Sequence, residues 1–348
     1  MNKMILQIIR DNWNKPGRIW NLAKSIVFSR STRVKYYPIT ADIEPTLACN
    51  LNCVMCHRKE LAKSRTQMTM SLADFKRVID KLPTIMKLNL QGMGEPLATN
   101  DFFAMVSYAR SKGIYVSTVS NGMLLNAARA KQLVASGLNR IYFSIDSSDN
   151  EAYRKYRSEA GDLRIVKKNI SQLAELRKAE KKSALSIGIW MLLFENNVDQ
   201  LVKMVELAYS IGADELIVQS NITYRGKKQW KRRIDSMQVK NFSLAEREIS
   251  LALERAKELN LKMKIHSGGG AMKPEKKSLC LWPWKSLFIT SQGDVSPCCI
   301  IADPNISNLG NINSDSMQDI WNNEKYQKIR EQLLSGRVPD FCRGCYGK

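Results

Sequence analysis

The stretch Glu44-Pro-Thr-Leu-Ala-Cys-Asn-Leu-Asn-Cys-Val-Met-Cys-His57 carries three cysteines within eight residues. Cys49, Cys53 and Cys56 follow the spacing C-x3-C-x2-C. Three thiolates on one short loop can hold three corners of a cubane iron–sulfur cluster, and the fourth iron then stays open to an external molecule. Clusters that only carry electrons usually have four cysteines, and structural zinc sites are closed by four ligands. The stretch therefore predicts a metal site with one coordination position left open.

Zinc is the alternative metal for this loop, with His57 as the fourth ligand. His57 is adjacent to Cys56, and two adjacent residues rarely both reach one tetrahedral metal. The spacing also differs from the C-x2-C knuckle of common zinc sites. We therefore favour a cluster.

The chain has eight cysteines, and none lies between residues 57 and 279. The remaining five are Cys280, Cys298, Cys299, Cys342 and Cys345. Two dense groups separated by a long empty stretch predict two metal sites in a reducing compartment. Buried core thiols and disulfides are the less favoured alternatives, because core cysteines have no reason to cluster.

Length and composition describe a globular protein of 348 residues that can bury a sizeable core. No run approaches the roughly 20 apolar residues of a membrane span. Arg10, Asp11, Lys15 and Arg18 interrupt any apolar region of a secretion signal, so we expect a cytoplasmic protein. The net charge of +21 predicts acidic partners without choosing among them.

From residue 38 to about 265, short apolar runs alternate with amphipathic stretches. The predicted strands are Pro38–Glu44, Ile85–Leu90, Ile114–Val119, Arg140–Ile145, Leu185–Leu192 and Glu215–Gln219. The predicted helices include Ser71–Leu82, Asn126–Ser136, Leu163–Lys178 and Val198–Ile211. Such alternation predicts an α/β fold with a parallel sheet, open or closed into a partial barrel. Ligands then bind at the carboxyl ends of the strands, where the cysteine loop lies.

The pattern changes at the linker His266-Ser-Gly-Gly-Gly270, after which the chain is turn-rich and carries cysteines. We therefore predict three parts. Residues 1–37 form a basic amphipathic helical segment, residues 38–265 the βα series, and residues 266–348 a small domain built around a metal.

With this placement, the C-x3-C-x2-C loop resembles that of the radical S-adenosylmethionine (SAM) superfamily. The family usually has an aromatic residue before the last cysteine, where this chain has Met55. The resemblance implies a partial (β/α)6 TIM-like barrel. It also implies a [4Fe–4S] cluster on Cys49, Cys53 and Cys56 whose open iron is chelated by SAM. An electron then cleaves SAM to methionine and a 5′-deoxyadenosyl radical, which takes a hydrogen atom from the substrate.

Further motifs match the family one βα unit at a time. Gln91-Gly-Met-Gly-Glu-Pro96 resembles the Gly-Gly-Glu-Pro motif and implies that Glu95 binds the SAM amino group. Ser120 and Asn121 begin a Ser-Asn-Gly turn that implies further SAM contacts, although an ordinary strand-ending turn explains it equally well.

Two more predicted SAM contacts follow the fourth strand. Ser144, together with Asp146, is expected at the same rim. Arg157 is a candidate for the SAM carboxylate, because Arg forms bidentate pairs with carboxylates. A solvated basic face with Arg154 and Lys155 is the simpler alternative.

The C-terminal cysteines resemble the Twitch form of the SPASM-type extension of radical SAM enzymes. This implies an auxiliary [4Fe–4S] cluster on Cys280, Cys298, Cys342 and Cys345, the second cluster of the chain. Cys299 is the spare thiol and the alternative to Cys298. A zinc ribbon is the alternative to a cluster here.

A closed auxiliary cluster implies that the electron left on a substrate radical is removed, which is a net two-electron oxidation. Our first hypothesis is oxidation of a sugar-like or cyclitol alcohol, a small polar substrate. The alternative is crosslinking or epimerisation of a ribosomally made peptide, and a zinc-bearing nucleic-acid-binding protein is a remote third. An electron donor such as flavodoxin or ferredoxin is expected, and nucleic acid is not.

Two basic regions remain. The first 40 residues have a local net charge of +7 and helical apolar spacing. Packing across the edge or bottom of the barrel is the favoured interpretation, and peripheral contact of residues 1–37 with an anionic membrane surface is the alternative. The second region, Lys227–Arg233, is a solvated loop or a site that captures a phosphate or an acidic peptide leader.

Overall fold

The computed structural model of the protein describes residues 3–28, 30–180, 184–220, 223, 230–266 and 279–346. The chain divides into two compact units. The first contains Met1–Ala48, His57–Thr118 and Ser278–Cys342, and the second contains Cys49–Cys56, Val119–Lys277 and Arg343–Lys348. This division differs from the three parts expected from the sequence, whose boundaries stay a prediction.

The described residues form parallel strands and amphipathic helices in alternation. The strands are β1 Thr40–Ile43, β2 Lys87–Leu90, β3 Tyr115–Ser120, β4 Arg140–Ser144, β5 Ser186–Leu192, β6 Glu215–Gln219, β7 Lys262–His266, β8 Ser286–Ile289 and β9 Val295–Ser296. The α-helices are α1 Lys3–Asn12, α2 Pro16–Val27, α3 Arg58–Ala62, α4 Leu72–Asp80, α5 Phe102–Ser111, α6 Ala127–Ala135, α7 Asn150–Arg157, α8 Leu163–Ala179, α9 Leu201–Ser210, α10 Lys231–Met237, α11 Phe242–Glu258, α12 Trp282–Lys285, α13 Met317–Trp321 and α14 Glu324–Leu334.

Polar caps start the predicted helices. The Ser71 hydroxyl accepts a hydrogen bond from the Asp74 amide (3.1 Å) at the start of α4. The Asn126 side chain accepts one from Arg129 (2.9 Å) at the start of α6. Each cap satisfies an amide that the first helical turn leaves without a carbonyl partner. The predicted stretch Val198–Ile211 differs in its first turn, which is a 3₁₀ turn before α9.

In the first unit the strand order is β3-β2-β1-β8-β9. β1 pairs in parallel with β2 and with β8, and β9 is antiparallel to β8. The β8 pairing was not expected, because the sequence indicated a separate C-terminal domain. A strand from that segment extends the sheet beside β1, the strand that leads into the cysteine stretch.

In the second unit β4, β5, β6 and β7 pair in parallel in chain order. β7 was not predicted, although its sequence Lys-Met-Lys-Ile-His alternates polar and apolar residues, which is the period of a strand. Its first four residues lie at the end of the predicted βα series, and its last residue, His266, is the first of the predicted linker.

In the first unit, the fully buried apolar residues of β1 and β2 lie on the same face of the sheet. Ala41, Ile43, Leu88 and Leu90 are fully buried in the first unit, and each buried aliphatic side chain of the size of Leu stabilises the fold by about 1.5–3 kcal/mol. The period of two turns the intervening polar residues to the opposite face. That face carries the polar groups of the first unit.

Two predictions fall partly outside the described residues. Residues 267–270 of the linker and residues 227–229 of the basic region are not described, whereas Lys231, Arg232 and Arg233 are exposed in the first turn of α10. No helix among the described residues is both long enough and apolar enough to cross a membrane.

Candidate functional site

The cysteine loop of the second unit is fixed by backbone hydrogen bonds to the end of α7. The Val54 amide donates to the Tyr156 carbonyl (3.0 Å), and the Asn52 amide donates to the Ser158 hydroxyl (3.3 Å). Within the loop, the Cys56 amide donates to the Cys53 carbonyl (3.1 Å). The loop conformation therefore depends on a helix about a hundred residues later in the chain.

N–H groups point at the cysteine sulfurs. The Leu51 amide lies 3.4 Å from Sγ of Cys49, and Nδ2 of Asn121 lies 3.9 Å from the same atom. Nη1 of Arg157 lies 4.0 Å from Sγ of Cys53. Such donors stabilise thiolates, and hydrogen bonds to the sulfurs are one of the ways in which proteins adjust iron–sulfur clusters.

Arg157 is held beside the loop by a buried carboxylate. Its Nη2 lies 2.5 Å from Oδ2 of Asp146, which is fully buried and also accepts a hydrogen bond from the Leu192 amide (2.9 Å). Burial raises the pKa of Asp146, and the Arg157 guanidinium opposes that rise. Burial likewise raises the pKa of the Cys53 thiol, with Arg157 again acting in the opposite direction.

The structure thus gives Arg157 and Asp146 definite positions. The simpler alternative was a solvated basic face, but Arg157 is buried. Nε of Arg157 is buried without a hydrogen-bond partner in the described chain. A buried donor beside the cysteine loop fits an anionic group such as the carboxylate of SAM.

The other predicted SAM contacts of the second unit lie at strand ends. Ser120 is buried and accepts a hydrogen bond from the Gly122 amide (3.0 Å). Asn121 donates to Oδ1 of Asn50 (2.8 Å), next to Cys49. Ser144 is the last residue of β4 and is half-buried. The structure therefore brings Asn121 to the cysteine loop and gives Ser120 a role in the turn.

Glu95 lies in the first unit, and its backbone meets the residue before Cys49. The Glu95 amide donates to the Ala48 carbonyl (2.8 Å), and its Oε1 accepts from the Leu97 amide (3.1 Å). A Cβ on Gly94 would lie 2.6 Å from the Ala48 carbonyl oxygen. The absence of a side chain on Gly94 therefore lets two backbone segments touch.

A buried charge network in the first unit was missed by sequence reasoning. Nη2 of Arg65 lies 3.6 Å from Oε1 of Glu44 and donates to the Ala302 carbonyl (2.7 Å), while Nη1 lies 3.8 Å from Oδ2 of Asp294. Oε2 of Glu44 accepts from the Met93 amide (3.0 Å). Burial raises the pKa of Glu44, and Arg65 opposes the rise. The network joins the start of the cysteine stretch to the C-terminal segment.

A row of polar side chains crosses three strands of the first unit. Asp42, Asn89 and Ser117 are in register on β1, β2 and β3. Nδ2 of Asn89 donates to Asp42 (2.6 Å), and the Ser117 hydroxyl donates to Asn89 (2.6 Å). Burial raises the pKa of Asp42 to about 6, although hydrogen bonds from Asn89 and from Cys299 oppose the rise. The sequence signal that could have predicted this row was the alternation of polar residues in neighbouring predicted strands.

The two adjacent C-terminal cysteines have different surroundings. Cys299 hydrogen-bonds to Asp42 and packs against the apolar cluster of Leu47, Leu61, Phe288 and Ala302. Cys298 instead lies close enough to Tyr326 to raise the pKa of that phenol, in addition to the larger effect of burial. This difference favours Cys298 as the cluster ligand.

The guanidinium of Arg330 is buried next to the Tyr326 ring. Arg330 is fully buried, with its guanidinium carbon 4.8 Å from the Tyr326 ring and 4.7 Å from the Trp321 ring. It donates to the Pro283 carbonyl (2.9 Å), and burial lowers its pKa to about 10. Trp321 is fully buried and packs in the core.

None of the eight cysteines, all of which the structure describes, is in a disulfide. Across the described ranges, no three His, Cys, Asp or Glu side chains are gathered so as to hold a single metal ion. The donor set on the first loop is three thiols, and N–H groups are directed at two of them, Cys49 and Cys53. This set nevertheless fits thiolate ligation of a cluster. The individual ligand assignments stay predictions.

An α/β fold with parallel strands and a cysteine loop after β1 defines a class of iron–sulfur proteins, and comparison with known proteins identifies the family. Residues 43–208 match the Radical SAM superfamily, and residues 280–346 match the SPASM iron–sulfur cluster-binding domain. The chain is therefore a radical SAM enzyme with a C-terminal SPASM domain, and its cofactors are [4Fe–4S] clusters and SAM. The predicted fold class is confirmed, whereas the shorter Twitch form stays a prediction.

Curated relatives cover nearly the whole chain. The AdoMet-dependent heme synthase of Methanosarcina barkeri is 26% identical over 87% of this chain and 89% of its own length. The PqqA peptide cyclase of Xanthomonas euvesicatoria is 24% identical over 88% of this chain and 80% of its own length. Among solved structures, Streptococcus suis SuiB bound to precursor peptide SuiA has a TM-score of 0.69 at 16% identity, covering 91% of this chain and 71% of that one. At this identity the last comparison shows the fold.

Proposed function

We propose that the chain is a radical SAM maturase that modifies a ribosomally made peptide. The observation that carries the proposal is the match to peptide cyclases along 88% of the chain, through both the radical SAM and the SPASM segments. The likeness to SuiB, solved with a precursor peptide, supports it. The net charge of +21 suits an acidic peptide segment. These findings favour the peptide alternative over oxidation of a sugar or cyclitol alcohol.

A second candidate is modification of a tetrapyrrole. The heme synthase has a slightly higher identity than the peptide cyclase and matches over a similar share of the chain. Tetrapyrrole carboxylates would also suit a basic protein. The two candidates differ in substrate and use the same cofactors.

We assign the SAM-binding roles from the contacts described above. Cys49, Cys53 and Cys56 hold the cluster at which bound SAM supplies a carbon-centred radical able to remove a substrate hydrogen atom. Arg157, oriented by Asp146, pairs with the SAM carboxylate. Asn121, Ser120 and Ser144 contact the rest of SAM at the strand ends, and Glu95 accepts from its amino group.

The auxiliary cluster is assigned to Cys280, Cys298, Cys342 and Cys345, with Cys299 left as a thiol. The cluster held there would supply an acceptor for one electron. Crosslinking removes a hydrogen atom, a proton and a second electron from the peptide, so the product gains one bond and loses two hydrogens. Epimerisation would instead return a hydrogen atom and leave the mass unchanged. A flavodoxin or ferredoxin is the proposed electron donor.

The test is an anaerobic reaction with SAM and dithionite. Three substrates are compared: the short peptide encoded nearest to the gene, an amino-cyclitol and an iron-free tetrapyrrole. We expect 5′-deoxyadenosine and a peptide that has lost two hydrogens or gained a D-residue, detected by mass spectrometry and chiral amino-acid analysis. Cys49→Ala should abolish both products, and Cys299→Ser is the matched cysteine control that should keep both. Oxidation of the cyclitol or conversion of the tetrapyrrole, with the peptide unchanged, would contradict the proposal.

A further inference from the structure

The helix α2 turns its polar side chains towards the protein and its apolar ones towards solvent. Asn21 and Ser25 are its buried residues. Trp20, Ile26 and Val27 are 65%, 66% and 73% exposed. An amphipathic helix that packs on a soluble core has the opposite orientation.

This orientation is fixed by specific hydrogen bonds within the first unit. Asn21 exchanges two hydrogen bonds with the Tyr37 backbone, from Nδ2 to the carbonyl (2.9 Å) and from the amide to Oδ1 (2.8 Å). Nε of Arg18 donates to the Pro83 carbonyl (2.8 Å). The polar side of α2 is therefore used to attach the helix, and its apolar side is exposed.

Helix α1 continues the same surface. Ile5, Leu6 and Ile9 are exposed, and Trp13, just after the helix, is 73% exposed. Asn12 is buried and donates to the Gly113 carbonyl (3.1 Å), so this helix too is attached through a polar side chain. Nine of the sixteen large exposed apolar residues in the described chain lie between residues 5 and 28. Such a concentration indicates an interaction site.

The charge around this surface has one sign. Exposed basic residues border it, namely Arg10, Arg30, Arg33 and Lys35. Lys24 lies over the Trp20 ring, 5.5 Å from its centroid. Asp11 is the single acidic residue of the first 40, and Arg110 neutralises it at 3.0 Å.

We propose that α1 and α2 form a docking surface for an anionic phospholipid membrane. Exposed Ile, Leu and Trp beside Lys and Arg are the composition of interfacial helices, in which apolar side chains enter the acyl boundary and basic ones meet the headgroups. Trp is favoured at that interface, and basic residues near an anionic surface strengthen binding by electrostatic attraction. A second copy of this chain suits the surface poorly, because both faces would carry the same positive charge. The interpretation favoured from the sequence, packing of this segment across the edge or bottom of the barrel, stays a prediction.

Vesicle flotation of the whole anaerobic protein tests this directly. We expect co-flotation with vesicles of phosphatidylcholine and phosphatidylglycerol, and little with phosphatidylcholine alone or in high salt. Ile5→Ser with Ile9→Ser should weaken binding at least tenfold. Leu251→Ser with Leu253→Ser on α11 is the matched control, since those side chains are similarly exposed at 45% and 42%. Trp13→Ser with Trp20→Ser should also weaken binding.

The variants should still produce 5′-deoxyadenosine with dithionite, which shows that they are folded. The proposal would be overturned if the unaltered protein did not float or bound neutral vesicles equally well. It would also be overturned if the Ile5/Ile9 variant bound as well as its control. So would a stable dimer in sedimentation that the Ile5/Ile9 substitutions dissociate, because the surface would then serve a second copy.

Discussion

Asp146 and Arg157 form a buried ion pair, with Nη2 2.5 Å from Oδ2, and the same guanidinium lies 4.0 Å from Sγ of Cys53. The pair places one positive charge beside the cysteine loop and leaves Nε of the arginine available to an anion.

Arg157→Lys should keep the charge but lose the planar fork that pairs with a carboxylate. We expect roughly tenfold weaker binding of SAM, equivalent to about 1.4 kcal/mol. Arg157→Met should in addition destabilise the protein by about 3–5 kcal/mol, because Asp146 would be left buried and unpaired. Equilibrium binding of SAM and anaerobic denaturant unfolding measure the two effects. Unchanged SAM affinity in the Lys variant would remove Arg157 from the binding site.

Replacing the two neighbouring cysteines should have different effects on iron content. Cys298→Ser should lose about four irons per chain if it disrupts a cubane cluster. Cys299→Ser should keep them, because its hydroxyl can still donate to Asp42. Iron and sulfide quantification, with electron paramagnetic resonance of the reduced protein, distinguishes them. The reverse pattern would make Cys299 the ligand.

Gly94→Ala should disturb the segment that precedes Cys49. A Cβ at this position would clash with the Thr46, Leu47 and Ala48 backbone, and overpacking of this kind costs about 1–3 kcal/mol. We expect lower iron retention and a lower free energy of unfolding.

Gly17→Ala is the control for this substitution. No atom lies within 4 Å of a Cβ built there, and Ala is the better helix former. This variant should be as stable as the parent or more so, with its iron content unchanged. Equal iron loss in the two variants would show that the Gly94 contact is unimportant.

Asp42 should make the protein less stable as the pH rises. Its folded pKa of about 6 lies above the ordinary value of 3.8, so its favourable contribution is complete below pH 3.8 and lost as the pH rises through 6. The full loss in the free energy of unfolding is on the order of 3 kcal/mol, and about 1 kcal/mol of it occurs between pH 5 and 8. Asp42→Asn should remove this part of the slope. Denaturant unfolding of both proteins over that range measures it, and parallel pH profiles would refute the prediction.

The sequence predicted the elements that depend on local pattern. β6 occupies its predicted range, Glu215–Gln219, and α4 and α6 lie within their predicted ranges, Ser71–Leu82 and Asn126–Ser136. Caps and periodicity act over a few residues, so a single sequence contains them. The Lys-Met-Lys-Ile-His strand β7 was missed because a short alternating run beside a glycine linker is a weak signal.

The sequence by itself determined that three thiols, Cys49, Cys53 and Cys56, lie on one loop, and the resemblance of this loop to that of a known family implied the cofactors. Only the tertiary structure decided which distant groups meet: Arg157 beside Cys53, Glu44 with Arg65, and Asp42 with Cys299. It also decided that α2 faces outward with its apolar side, since the period of a helix gives two faces but does not say which one is buried. Long-range burial and pairing are properties of the assembled chain, whereas ligand spacing is a property of its covalent order.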